Sequence, residues 1–352
     1  MQPLDYSLCT RVQGVNSRHK LPYWWGFAAT LALLFLVTNW WVNSPGRDHI
    51  GSIPLRGDAT WYFNYEPGYE IQDQDIFYHG IGHSIENAGD ADVIFLGWSK
   101  LIFGLDWRQF DAFAQKHHVK MFNMGFAGVE SGEFARMIIE KFGLHPKLWV
   151  INADRDLPDV QNGFFAPSLG SGAGLPASTV LQYGWLWSYK NVIGRNIRWR
   201  LKEAFGSVRL WGSYRSATTG NWYLDDWATY TNQNPLIQRR ELHRGGPAGV
   251  YETERINFAC PTVPAEIAMA QRYLAEVGGA AVLIQVPSKF ACAQRVQELA
   301  SALKIPALTV DETQFTAIDN GGHLDSAGAQ KYSKILFAWL EELPEFQRLL
   351  SR

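Results

Sequence analysis

An α/β fold built on a central parallel sheet is what this chain predicts, on three observations. Short apolar runs of strand length alternate with helical segments, starting at Val93. Most of these runs end in loops rich in Gly, Asn or Asp. The connections are short, which favours right-handed strand–helix–strand units. With 352 residues, 47% of them hydrophobic, the chain can bury a full core as one large domain carrying an insertion.

The first strand is Ala91-Asp92-Val93-Ile94-Phe95-Leu96-Gly97-Trp98-Ser99-Lys100, whose core Val93–Leu96 is apolar without alternation. Such a run suits a strand covered on both faces. Gly97 permits a sharp turn, and Ser99 then opens a helix expected over Leu101–Gln115. A serine N-cap is the plain reading of that position. A nucleophile at the carboxyl end of a strand, beside helix amides, is the functional one. A second strand, Val119–Met124, leads into Gly125–Gly128 and a helix over Ser131–Phe142. A third strand, Leu148–Asn152, ends in Ala153-Asp154-Arg155-Asp156.

The alternation then lapses from about Leu157 to Arg255, an insertion expected over the sheet's carboxyl edge. It holds a Gly/Ala/Ser-rich stretch, Ser168–Ala177, and an aromatic run, Gln182–Tyr189. Next come helix-like Val192–Phe205 with Arg195, Arg198, Arg200 and Lys202, and then Trp211, Trp222, Tyr223 and Trp227. A helical cap with solvated cations and a glycan-binding face are both open readings. Alternation resumes with a helix over Pro264–Val277, a strand over Ala280–Val286, a helix over Ala291–Leu303 and a strand over Ala307–Val310. The loop Ile318–Gly328 opens a final amphipathic helix, Ala329–Leu340.

At the amino terminus no charged residue occurs between Lys20 and Arg47. The centre, Phe27–Thr38, is nearly all apolar, and Trp24, Trp25, Trp40 and Trp41 bracket it. That length suits a bilayer crossing with an aromatic belt at each face. No small-residue cleavage pattern follows the run, which favours an uncleaved anchor over a signal peptide. The organisation expected is a cytoplasmic 1–20, a single span at 21–46, a linker at 47–90 and an α/β domain at 91–352. The slight excess of cations before the span (Arg11, Arg18, Lys20 against Arg47, Arg56) favours a periplasmic domain on an inner membrane. Cys260 and Cys292 would then share an oxidising compartment, whereas Cys9 would stay reduced.

A net charge of −2 without a basic patch argues against nucleic acid as a partner. Three cysteines show no metal spacing, and neither GxxxxGK[ST] nor GxGxxG occurs, so neither metal nor nucleotide cofactor is expected. Fifteen Trp, 14 Tyr and 20 Phe are the oddity, suited to a core, a membrane interface or sugar rings alike.

Ser99, Gly125–Gly128 and Asn152–Asp156 all follow strands, and His323 sits in a glycine-rich loop after the last one. In a parallel sheet those loops open on one rim, so distant residues can meet. Acyl transfer needs such a set: a serine is a weak nucleophile and requires a base, an orienting carboxylate and fixed donors for the oxyanion. His79, His83, His117 and His118 have no comparable context and read as surface or structural residues.

With these blocks the chain resembles the SGNH (GDSL-like) hydrolase superfamily. Gly97-Trp98-Ser99 is similar to its nucleophile block, Asn123-Met124-Gly125-Phe126-Ala127-Gly128 to its N-x-G-x-x-G block, and Asp319–His323 to its last block. The resemblance implies a flavodoxin-like three-layer sheet from about Asp92 onward, the insertion aside. It implies Ser99 as nucleophile, His323 as base, Asp319 as its orienter, and the Gly128 amide with Asn152 in the oxyanion hole. Two departures stand out. Asp319 lies four residues before His323 rather than three, leaving Asn320 as an alternative orienter. The third block reads Asn152-Ala153-Asp154-Arg155-Asp156, so Arg155 is an alternative to Asn152. Trp98 is bulky for its place and is expected to wall the pocket.

Membrane-anchored members of this superfamily acetylate alginate or move D-alanine onto teichoic acid. The similar layout here implies a periplasmic acyl esterase or O-acyltransferase acting on an exopolysaccharide or envelope glycan, a cellulose-like polymer among them. A polysaccharide synthase or an acyl-donor membrane protein is the partner such a role implies. A non-catalytic scaffold holding polysaccharide through the aromatic insertion is the competing class, favoured by the irregular third and last blocks.

Overall fold

The computed structural model describes residues 21–43, 52–55, 58–63, 77, 84–126, 132–154, 213–224, 251–252, 264–289, 291–318 and 322–351. The chain divides into two compact units, 1–47 and 48–352. In the first, α1 (Leu21–Asn43) is a 23-residue helix without a charged residue, and its described side chains, Tyr23, Trp24, Trp25 and Phe27 among them, are exposed. Among the described residues no helix is long and apolar enough to cross a membrane.

Among its described residues the second unit carries three sheets. β1 (Ser52–Leu55) and β2 (Asp58–Phe63) form an antiparallel hairpin. This stretch, expected as linker, is part of the second unit. After α2 (Ser84–Gly89) come β3 (Val93–Gly97), α3 (Ser99–Gly104), α4 (Trp107–His117), β4 (Met121–Gly125), α5 (Gly132–Phe142) and β5 (Leu148–Asn152). From the insertion, β6 (Ser213–Ser216), β7 (Trp222–Leu224) and β8 (Tyr251–Glu252) are described. The chain continues with α6 (Pro264–Val277), β9 (Ala280–Ile284), α7 (Ala293–Leu303), β10 (Ala307–Leu308), β11 (Thr316–Ile318), β12 (His323–Leu324), α8 (Ser326–Glu342) and α9 (Pro344–Leu350).

The main sheet is five-stranded and parallel, in the order β10-β9-β5-β3-β4. Numbered by sequence among themselves, its strands run 2-1-3-4-5, the flavodoxin-like doubly wound order. Side chains alternate between two cores. Ile94, Leu96 and Ile151 face α2, α5, α6 and α7, while Val93, Phe95 and Val150 face α4, α8 and α9. Every residue of β3 and β5 is buried, which is why these strands read as unbroken apolar runs. Cys292 caps α7 through its sulfur, which accepts from the Arg295 amide at 3.4 Å, and is disulfide-bonded. Cys260, the cysteine expected to share its compartment, lies outside the described residues.

Two sequence expectations change here. The single helix expected over Leu101–Gln115 is broken into α3 and α4. Gly104 abuts the Val286 side chain, and Asp106 starts the new helix by accepting from the Gln109 amide at 3.0 Å. The β6–β7 part of the insertion lies beside the sheet rather than over its carboxyl edge, and β8 pairs with β11 in the small sheet that holds His323. The β6–β7 hairpin docks beside β4, the edge strand: the Asn123 amide donates to the Thr219 carbonyl at 2.8 Å, and Arg215 Nη2 donates to the Asn123 carbonyl at 2.7 Å. An exposed edge presents unpaired backbone groups, and this contact satisfies two of them. Arg215 is fully buried, 4.4 Å from the Phe77 ring centre.

At Gly220 the hairpin needs glycine on two counts. Its φ is +67°, and a Cβ there would lie 2.2 Å from the Asn123 carbonyl oxygen. Gly220→Ala should therefore destabilise the protein by about 2 kcal/mol or more, read from urea unfolding; an unchanged midpoint would contradict the docking contact. On the opposite side, Lys116 and His117 at the end of α4 pair with Glu341 of α8. Lys116 first, then His117, hold the Glu341 carboxyl below its ordinary value. A carboxyl depressed in the folded state stabilises above its unfolded value and loses that contribution as pH falls through the folded one. The difference in urea midpoint between wild type and Glu341→Gln should accordingly shrink from about pH 6 to about pH 3.

Candidate active site

β3 ends at Gly97, Trp98 continues in extended conformation (φ −95°, ψ −171°), and Ser99 opens α3. A Cβ on Gly97 would lie 2.7 Å from the Asn152 Cβ, so only glycine lets the end of β5 pack this closely on the turn before Ser99. Trp98 does not wall an open pocket. It is 6% exposed and belongs to the core on the α2/α5/α6 face, since the extended residue before the helix turns its side chain inward.

His323 arrives from the far end of the chain. β12 pairs antiparallel with β11, with His323 opposite Ile318. Strand alternation sends Leu324 into the core and leaves His323 half-buried at the rim. The Phe103 ring, from α3, packs on the imidazole at 4.6 Å between centres and 50° between planes. There His323 Nε2 lies 2.9 Å from Ser99 Oγ, a hydrogen bond across 224 residues of sequence. With the imidazole neutral and Nε2 unprotonated, the serine hydroxyl donates to it, the geometry of a base poised to take that proton. Asp325, two residues beyond the histidine, caps α8: its Oδ1 accepts from the Gly328 amide at 2.7 Å and the Thr316 hydroxyl at 2.6 Å.

Asn152 ends β5, opposite Ile284 of β9 in register. It is fully buried, and neither amide atom makes a hydrogen bond in the structure. An unsatisfied buried amide costs about 1–3 kcal/mol, so one left beside a Ser–His pair suits a ligand oxygen. Asp319, Asn320, Gly128 and Arg155 lie outside the described residues. Up to Phe126 the chain heads for the site, since the Phe126 amide donates to the Gly97 carbonyl at 2.9 Å.

Beneath Ser99 sits a pair that the sequence reading passed over. Lys100 and Asp154 are 1% and 0% exposed, with Nζ 3.2 Å from Oδ1. Asp154 Oδ2 also accepts from the Val286 amide at 3.1 Å. Burial, and then the Asp154 carboxylate, push the Tyr332 hydroxyl well above its ordinary range, keeping it protonated. A charged residue directly after the candidate serine was the only available signal, and a solvated lysine was its ordinary meaning.

Among the described residues no group of three or more His, Cys, Asp or Glu is arranged to hold a metal ion. His117, read as surface or structural, pairs with Glu341. A cleft of about 570 Å³ opens at the amino ends of β9 and β10, lined in part by Leu274, Gly279 and Ile305. That rim is opposite to Ser99, and the cleft takes no part in this site. Comparison of the chain with family models, with curated proteins and with solved structures returned no match.

The chain is thus a doubly wound α/β protein with a serine hydroxyl hydrogen-bonded to an imidazole at the carboxyl rim of its parallel sheet. Gly97→Ala should force apart Asn152 and the Ser99 turn, costing about 1–3 kcal/mol of stability by chemical unfolding. A variant as stable as wild type would show that the close approach is not required.

Proposed function

We propose that this protein is a membrane-anchored, periplasmic serine acyl esterase or O-acyltransferase of the SGNH (GDSL-like) type. Its substrate on this reading is an exopolysaccharide or other envelope glycan. The observation that carries the reading is the 2.9 Å hydrogen bond between Ser99 Oγ and His323 Nε2 at the carboxyl rim of the parallel sheet. The unpartnered buried amide of Asn152 beside it supports an oxyanion site.

The chemistry runs in two balanced halves. His323 takes the Ser99 proton as Oγ bonds to the acyl carbonyl carbon, forming a tetrahedral oxyanion held by the Ser99 and Gly128 amides and the Asn152 side chain. The carbonyl re-forms, the bond to the leaving alcohol breaks, and His323 delivers its proton to that alcohol. Asp319 orients the imidazole in this scheme. Water then attacks the acyl-serine in an esterase, or a sugar hydroxyl does so in a transferase, with His323 again taking and returning the proton.

Two observations support the location in this reading. The uncharged stretch between Lys20 and Arg47, with Trp24, Trp25, Trp40 and Trp41 bracketing its apolar centre, is the sequence feature that supports an anchor in the inner membrane with the α/β domain outside the cytoplasm. The disulfide at Cys292 fits an oxidising compartment. A polysaccharide synthase or an acyl-donor membrane protein is the matching partner.

A fluorophosphonate probe tests the nucleophile. It should tag Ser99 in the wild type, and Ser99→Ala should abolish tagging without lowering the melting temperature. Hydrolysis of p-nitrophenyl acetate by His323→Ala should fall by about two orders of magnitude or more. A wild-type protein that binds glycan yet resists the probe would replace this reading with a polysaccharide-holding scaffold, and an unchanged rate in His323→Ala would remove the histidine from the chemistry.

A further inference from the structure

The nucleophile sits on a helix that lacks the usual means of holding its start. α3 is six residues long, its N-cap is Trp98, and Trp98 makes no side-chain capping bond. Propensity cannot hold so short a helix in place, so tertiary contacts must do it. Those contacts converge on one segment. At the first turn Lys100, the residue after Ser99, reaches Asp154 at 3.2 Å, and Asp154 also accepts from the Val286 amide at 3.1 Å. At the last turn Gly104 lies against Val286, where a Cβ would meet Cγ1 at 2.5 Å. One carboxylate thus links the start of α3 to the chain just past β5 and just past β9.

Resting on the proposed function, we infer that Lys100 and Asp154 are positioning residues for the reaction: the buried pair sets the first turn of α3 so that Ser99 Oγ meets His323 Nε2. Stability alone is a poor reason for such a pair, because apolar residues of similar volume are often as stabilising as a buried ion pair. Geometry is a better one. The nucleophile's turn connects to β3, the oxyanion candidate Asn152 to β5, and misplacement by about 1 Å is enough to cost orders of magnitude in rate. The Asp154 carboxylate joins both to the end of β9, using directed hydrogen bonds that an apolar contact would not supply.

The test uses the full-length protein with p-nitrophenyl acetate and the fluorophosphonate probe. In the double variant Lys100→Met/Asp154→Leu, which removes both charges of the pair together, kcat and the labelling rate of Ser99 should fall by about tenfold or more, with KM within about twofold of wild type and the melting temperature retained. A second pair of variants keeps the question open to refutation should the double variant fail to fold. Asp154→Asn keeps one acceptor oxygen, enough for either Lys100 or the Val286 amide, whereas Asp154→Val keeps none, so kcat in Asp154→Val should lie about tenfold or more below that of Asp154→Asn when each is assayed well below its own unfolding midpoint. Wild-type kcat in the double variant, or equal kcat in Asp154→Asn and Asp154→Val, overturns the positioning role while leaving the Ser99 reading intact. A wild-type protein that the probe does not label overturns both.

Discussion

The parting of two connections at the middle of the main sheet is the constraint on which the site depends. After β3 the chain crosses the face covered by α4 and α8, and after β5 it returns through α6 on the other face. Right-handed crossovers force this whenever strand order reverses. The carboxyl ends of β3 and β5 are therefore neighbours whose outgoing chains diverge, and a crevice is left between them. Ser99 stands on one lip of it and Asn152 on the other, brought together by the missing side chain of Gly97.

The remaining elements act on this crevice from its sides. The β11–β12 hairpin delivers His323, with Leu324 buried beneath it and Phe103 of α3 against its ring. β8, the last described piece of the insertion, pairs with β11 and extends the histidine's sheet to three strands. Another piece, the β6–β7 hairpin, joins β1 and β2 in a four-stranded sheet and closes the exposed flank of β4 through Arg215 and Thr219. The described parts of the insertion are thus tied into the domain at two points, one at the sheet's edge and one at the base of the hairpin that carries His323.

Charges are placed according to what burial permits. Glu341 with Lys116 and His117 is partly exposed and joins two helices near the surface, where such pairs contribute little. Lys100 with Asp154, and Arg295 with Glu266, are almost wholly buried, where losing one partner strands a charge. Only the first of these buried pairs lies next to the candidate nucleophile.

The amino-acid sequence by itself determined the elements whose causes are local. The apolar run of β3, the strand Leu148–Asn152 and the helix Pro264–Val277 were legible because a doubly covered strand and an amphipathic helix leave their period in consecutive residues. Ser99 was legible as a strand-end residue beside a glycine for the same reason, whereas His323, expected in a glycine-rich loop, stands in the two-residue strand β12, whose pairing partner β11 no local pattern announced. The tertiary structure alone decided what depends on residues remote in sequence. The break between α3 and α4 answers to Val286, the β6–β7 hairpin to the open side of β4, and the Lys100–Asp154 pair to burial that no lysine announces. The 2.9 Å contact of Ser99 with His323 is of this kind too, since 224 residues of chain lie between them and only the sheet's topology brings them to one rim.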